Sequence, residues 1–181
     1  EMSVTIKGHV GYYCGGMNQK ANISIEGNAG TGLGENMMSG TIHVKGNTSQ
    51  SAGATAHGGN IIIDGDASSR CGISMKGVNI IVKGSVGHMS AFMAQAGTLM
   101  ICGDAGEALG DSIYETVIYL AGKPKSLGVD CIEKKVTKND LKKIENLIKI
   151  GNIKKLKPHD FKKFGSARKL YNFNIDNVSE Y

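Results

Sequence analysis

VTIKG (residues 4–8), ISIEG (23–27), IHVKG (42–46), IIIDG (61–65), IIVKG (80–84), LMICG (99–103) and IYLAG (118–122) end on Gly8, Gly27, Gly46, Gly65, Gly84, Gly103 and Gly122, a constant step of 19 residues. In each unit the residues four and two places before the glycine are aliphatic, from Val4 and Ile6 through to Ile118 and Leu120. Alternation with a period of two puts both on one face of a short strand. Such a strand is unstable alone. Copies stacked in parallel about 4.8 Å apart turn each position into a buried ladder and pair the backbone groups of successive rungs. A step kept without insertion or deletion is the mark of a solenoid. The pattern predicts an all-β fold, a right-handed parallel β-helix of about seven coils.

Three bends per coil are legible. The residue after the column glycine is a turn former in most units (His9, Asn28, Asn47, Asp66, Ser85, Asp104), and a corner there asks for positive φ, which glycine supplies without steric cost. A second small column, Gly15, Gly34, Gly53, Gly72, Ala91 and Gly110, marks another corner, and Gly40, Gly59 and Gly97 mark a third. The coils are therefore expected to be triangular in section. Two columns then point inward: Val10, Ala29, Thr48, Ala67, Val86 and Ala105, and Cys14, Leu33, Ala52, Cys71, Ser90 and Leu109. The axis should be filled by side chains, with no ligand tunnel. The short apolar runs and the density of glycine exclude helix-pair repeats. Leucine-rich repeats lack their leucine pattern here, and propeller blades need about twice this period.

Composition changes at Gly122. Of 26 glycines, 23 lie at or before that residue; residues 1–121 carry 6 Lys+Arg against 9 Asp+Glu, and residues 122–181 carry 15 against 7. The division predicts a solenoid over 1–122 and a helical and extended tail over 123–181 that packs on the solenoid or on a partner. Within the tail, TKNDLKKIENLIKIGN (137–152) sets Leu141, Ile144, Leu147 and Ile148 on one helical face and lysines on the other. Asn139 or Thr137 caps its start and Gly151 fits its end. The lysines read as the wet face of an amphipathic helix. No aromatic residues interleave with them and no binding motif accompanies them, so nucleic acid is not an expected partner. No apolar run reaches transmembrane length and no leader pattern opens the sequence, which makes the cytoplasm the expected compartment and a membrane no expected partner. Glu1 precedes Met2, so the true start is expected upstream, or a tag has been trimmed.

Between the two inward aliphatics stands one outward residue per coil: Thr5, Ser24, His43, Ile62, Ile81, Met100, Tyr119. The column turns from polar to apolar, and the next outward column does the same at Cys102 and Ala121. The outer face of the last four coils is expected to be covered, by the tail helix or by another chain. Ile62, Ile81, Met100 and Tyr119, with Phe161, Phe164, Arg168 and Tyr171 of the tail, are the candidate packing or partner surface.

The seven Gly-rich coils followed by a helix and then FKKFGSARKLY (161–171) resemble the C-terminal GXGXG domain of glutamate synthase, in the form that stands alone as a subunit. Phe164, Gly165, Ser166, Ala167 and Arg168 look like that family's post-helix Thr-Gly-Ser-x-x-Ala segment, with Phe164 in place of Thr and one residue fewer before the Ala. A subunit of formylmethanofuran dehydrogenase shares the repeat. The resemblance implies a scaffold with no catalytic residue of its own, in a complex where an amidotransferase subunit frees ammonia from glutamine. An FMN and iron-sulfur synthase subunit would combine that ammonia with 2-oxoglutarate, making glutamate. Alternatives are a β-helix subunit of a related oxidoreductase complex, such as formylmethanofuran dehydrogenase or a glutamate methyltransferase-type complex, or a self-associating structural protein, a homo-oligomer.

The sequence carries no residue pattern that contradicts a scaffold role. Cys14, Cys71, Cys102 and Cys131 include no CxxC pair. Cys14 and Cys71 share a column three coils apart, roughly 14 Å and beyond disulfide reach. His9, His43, His57, His88 and His159 fall in different columns without metal-ligand spacing. The nearest approach to a nucleophile elbow, Gly72-Ile73-Ser74-Met75-Lys76, lacks the closing glycine. Gly30-Thr31-Gly32-Leu33-Gly34-Glu35 has neither the spacing nor the following helix of a nucleotide loop. The turn residues Asp64, Asp66, Asp104 and Asp111 do not reproduce a calcium-binding nonapeptide. No catalytic, cofactor-binding or metal site is expected on this chain.

Overall fold

The computed structural model describes residues 2–168. Seven parallel strands, β1 (Ser3–Ile6), β2 (Asn22–Ile25), β3 (Thr41–Val44), β4 (Asn60–Ile63), β5 (Lys76–Val82), β6 (Ala96–Ile101) and β7 (Val117–Leu120), lie side by side in chain order. Partners sit 19 residues apart, as Val4 beside Ile23 and Leu99 beside Ile118, with a bulge at Lys76–Asn79 as the exception. A second ladder runs through Val10, Ala29, Thr48, Ala67, Val86, Ala105 and Pro124. The chain is thus a parallel β-solenoid of six full turns, and its seventh coil is cut short: Leu109 pairs with Leu127, only 18 residues on.

Both expected inward columns are buried from the second coil onward, Leu33, Ala52, Cys71, Ser90 and Leu109 among them. A third interior column, Met37, Ala56, Met75, Ala94 and Ile113, is equally buried and escaped the sequence reading. Its long thioethers alternate with alanine, so large and small side chains interdigitate without the constant aliphatic signal of a strand. At its foot stands Asn18, whose Nδ2 donates to Ala21 O and Ser39 O.

The column glycines correct one expectation. Only Gly8 among the seven has positive φ; the reason for the others is crowding. A Cβ on Gly46 would collide with Asn28 Oδ1 and lie 2.9 Å from Gly27 O. That Asn28 oxygen accepts the Asn47 N–H of the coil above at 2.8 Å, and the same bond recurs from Asn47 to Asp66, Asp66 to Ser85, Ser85 to Asp104 and Asp104 to Lys123. The turn formers after each glycine are a side-chain ladder, and glycine makes room for it. The other two corners do need left-handed backbone, at Gly53 (φ +71) and Gly59 (φ +83) for example.

After the short coil the chain forms β8 (Cys131–Lys134), the helix α1 (Lys138–Ile150), a single 3₁₀ turn (Pro158–Asp160) and β9 (Lys162–Ser166). Strand β9 inserts antiparallel between β7 and β8, with Ile118 opposite Phe164 and Cys131 opposite Ser166. The tail is therefore more than helical and extended: β9 covers the edge of β7 and leaves β8 as the outermost strand of the sheet. Phe164 joins the axial core there.

Candidate assembly site on the outer face and at the closed end

Helix α1 begins at Thr137, one of the two caps its sequence offered, through a full capping box in which Asp140 N–H donates to Thr137 Oγ1 and Thr137 N–H donates to Asp140 Oδ2 at 2.8 Å. It ends at Gly151, which keeps helical φ, while Asn152 takes the left-handed turn. Glycine at 151 serves close packing, because a Cβ there would come within 3.0 Å of Ile81 Cγ2. The apolar face of the helix lies on the outward column of the solenoid. Ile62, Ile81, Met100 and Tyr119 form one buried cluster with Ile144, Leu147 and Phe161, and Ile62, at the margin, keeps 6% of its surface. Of the other tail candidates, Phe164 is buried in the core, Arg168 is exposed and paired with Asp130 at 2.7 Å, and Tyr171 lies outside the described residues.

A polar knot ties helix, solenoid and β9 together. Asp140 Oδ1 accepts from Tyr119 Oη at 2.7 Å, and Lys163 Nζ lies 2.9 Å from the same oxygen. Thr137 Oγ1 donates to Oδ2 at 2.7 Å. Burial alone would raise the Asp140 carboxyl, but the hydrogen bonds from Lys163, Thr137 and Tyr119 outweigh it and hold the group well below the usual carboxylate range. Burial, and then the neighbouring carboxylate, push the Tyr119 hydroxyl upward, so it stays a donor. The sequence reading placed Tyr119 on this surface and missed Asp140 and Lys163. The Thr137-x-x-Asp140 spacing was the available signal, since a capping box fixes a carboxylate at the third helical position.

Elsewhere on the outer face Asp64 Oδ1 meets both His43 Nε2 and Lys83 Nζ at 2.8 Å. The four cysteines are free thiols. Burial pushes Cys71 up to about 12, and Cys102 and Cys131 up to about 11, which keeps them protonated. Among the described residues no three His, Cys, Asp or Glu side chains gather in metal-binding geometry, and no helix is long and apolar enough to cross a membrane. An iron-sulfur cluster is held by several cysteines gathered together, and these four stand apart.

Two clefts flank β9. One of about 620 Å³ lies at the closed end, with Ala121, Pro124, Leu127 and Phe164 as its apolar lining and Lys123 and Lys162 at its rim. The other, about 250 Å³, touches Lys134, Ser166 and Arg168.

The GXGXG motif family matches residues 1–174. The chain belongs to the GXGXG motif family. Its domain is of the glutamate synthase type. Among curated relatives, Protein GlxC of Rhizobium meliloti (strain 1021) is 60% identical over 178 residues, covering 98% of this chain and 78% of the relative. The match spans the solenoid and the tail strands that follow it.

Proposed function

We propose that this GXGXG chain is the scaffold subunit of a glutamate synthase-type complex in the cytoplasm, and that it contributes shape and docking rather than a reacting group. The family match across 1–174 carries the reading. The filled axis and the tail tied down by the Tyr119–Asp140 bond support it. In this reading an amidotransferase subunit releases ammonia from glutamine. A synthase subunit holds FMN and the iron-sulfur cluster and joins that ammonia to 2-oxoglutarate. The wide separation of the four cysteines agrees with placing the cluster on a partner, and free cysteines agree with a reducing compartment.

Co-expression with the amidotransferase and flavin chains encoded beside its gene tests the proposal. The three should purify together, and glutamine-dependent glutamate formation should fall when this chain is left out. Turnover by the isolated chain, or failure of the three to associate, would sink it.

A further inference from the structure

Charge divides this molecule in two. Residues 134–163 carry 11 lysines against 3 acids, Asp140, Glu145 and Asp160, while residues 2–133 carry 8 Lys+Arg against 10 Asp+Glu. The three acids of the tail are all engaged: Asp140 with Lys163 and Tyr119, Glu145 with Lys149 at 3.0 Å, and Asp160 Oδ2 with the Lys157 N–H at 2.7 Å. Lys134, Lys135, Lys138, Lys142, Lys154 and Lys155 stand exposed and enter no ion pair among the described residues.

Helix α1 turns this charge away from the solenoid. Its 3.6-residue period sets Lys138, Lys142 and Lys149 on one stripe, opposite the buried Ile144 and Leu147. Beyond the helix Ile153 N–H donates to Ile148 O, and Ile153 and Leu156 pack against the cluster beneath the helix, which leaves Lys154 and Lys155 exposed between them. Neither solubility nor helix stability calls for a single sign of charge throughout. A solvated stripe is best served by Glu and Lys four residues apart, and Glu145 with Lys149 is the one such ion pair in the helix. Lys149, in the last turn, complements the helix dipole, but Lys138 at the first helical position opposes it, with Lys134 and Lys135 just before.

We infer that the lysine face of α1 and its flanks is a steering surface that brings an acidic protein partner to the outer side of the solenoid. The inference rests on the scaffold reading and adds where the partner approaches and the sign of its surface. Chemistry selects among polyanions. Residues 134–163 hold no arginine, whose planar fork grips phosphate, and their only phenyl or phenol ring, Phe161, is buried, so no base can stack on it. Insertion into a lipid surface would need the apolar face of the helix, which the solenoid already occupies. Carboxylates on a protein ask no more than the hydrated point charges that lysine provides. Because lysine is depleted at interface centres, the face sets the rate of encounter and adjoins the contact rather than forming its core.

The test follows association of the full chain with the co-expressed amidotransferase and flavin chains at about 50 and about 300 mM salt. Wild-type association should slow about tenfold between the two. Lys142→Glu with Lys154→Glu and Lys155→Glu should slow it about tenfold at the lower salt, flatten the salt dependence and leave dissociation nearly unchanged. Lys7→Glu with Lys20→Glu and Lys76→Glu changes the net charge equally at exposed sites on the solenoid, and should alter the rate less than about twofold. Lys138→Glu should associate more slowly yet melt no lower than wild type, since it then complements the helix dipole. If the wild-type chain binds at a rate indifferent to salt, or the helix-side reversals slow it no more than the solenoid ones, the steering face is wrong and the scaffold reading stands. If the wild-type chain binds neither partner, both fall. Co-purifying nucleic acid, or flotation on phosphatidylserine vesicles, that only the helix-side reversals abolish would also overturn the assignment.

Discussion

The Tyr119 hydroxyl donates to Asp140 Oδ1 at 2.7 Å, joining the outward column of the last strand to the first turn of the helix that covers it. The acceptor is ionised and nearly buried, so the bond belongs to the strong class. Tyr119→Phe keeps the ring and removes only the donor. It should cost about 2 kcal/mol in denaturant unfolding, and a loss below a few tenths would show that the knot does not hold the helix.

Acid should undo the same knot. Asp140 has a folded-state carboxyl below its ordinary value of 3.8, so its contribution is complete above that value and disappears as pH falls through the folded one. The stability gap between wild type and Asp140→Asn should be constant from neutral pH down to about 5 and shrink steadily below about 4. A gap that widened in acid would reverse the assigned sign.

Crowding at the glycine column can be separated from backbone strain. Gly65→Ala puts a methyl against Asn47 Oδ1 and Gly46 O, and should cost about 1–3 kcal/mol. Asn47→Ala removes the obstructing oxygen along with its bond to Asp66 N–H. The double variant should therefore cost less than the two single changes summed. Strict additivity in thermal melts would argue for a backbone origin instead.

Cutting the chain after Val136 removes the helix and β9 together and uncovers Ile62, Ile81, Met100 and Tyr119 as one patch. Exposed apolar patches of this kind drive association. The truncated chain should self-associate and bind an apolar dye, whereas Leu147→Ala in the full chain should remain dispersed and lose about 2–5 kcal/mol. A dispersed, dye-silent truncation would mean that the column tolerates water.

Thiol reactivity offers a check on packing. Cys71, fully buried and pushed up to about 12, should resist a thiol reagent until global unfolding, while the half-buried Cys14 of the first coil reacts in the native state. Labelling of Cys71 ahead of Cys14 would contradict a filled axis.

What the sequence made legible was whatever repeats. Val4 to Leu120 could be read as a ladder because the same chemistry returns every 19 residues, and the helix because its period is internal. The Met37 column was missed because methionine and alanine share volume in alternation rather than a residue class. The fault at Gly46 was one of mechanism: a glycine beside Asn47 reads locally as a corner, whereas its neighbour in space is Asn28, one coil away. Strand β9 was illegible for a related reason. Lys162–Ser166 carries no hydrophobic alternation of its own, and its pairing with β7 depends on contacts 46 residues apart, as between Ile118 and Phe164. The Asp140 knot combined both difficulties, with a local motif that was visible and a distant Lys163 that was not.

A stack of near-identical coils resembles a ruler whose marks look alike, and beneath the helix Ile62, Ile81 and Met100 differ little in size and chemistry. Tyr119 is the one mark that differs. Of the four outward residues beneath the helix it alone offers a hydroxyl, and Asp140 reads it. The bond thus acts as a notch that fixes the tail's alignment against three otherwise similar apolar marks.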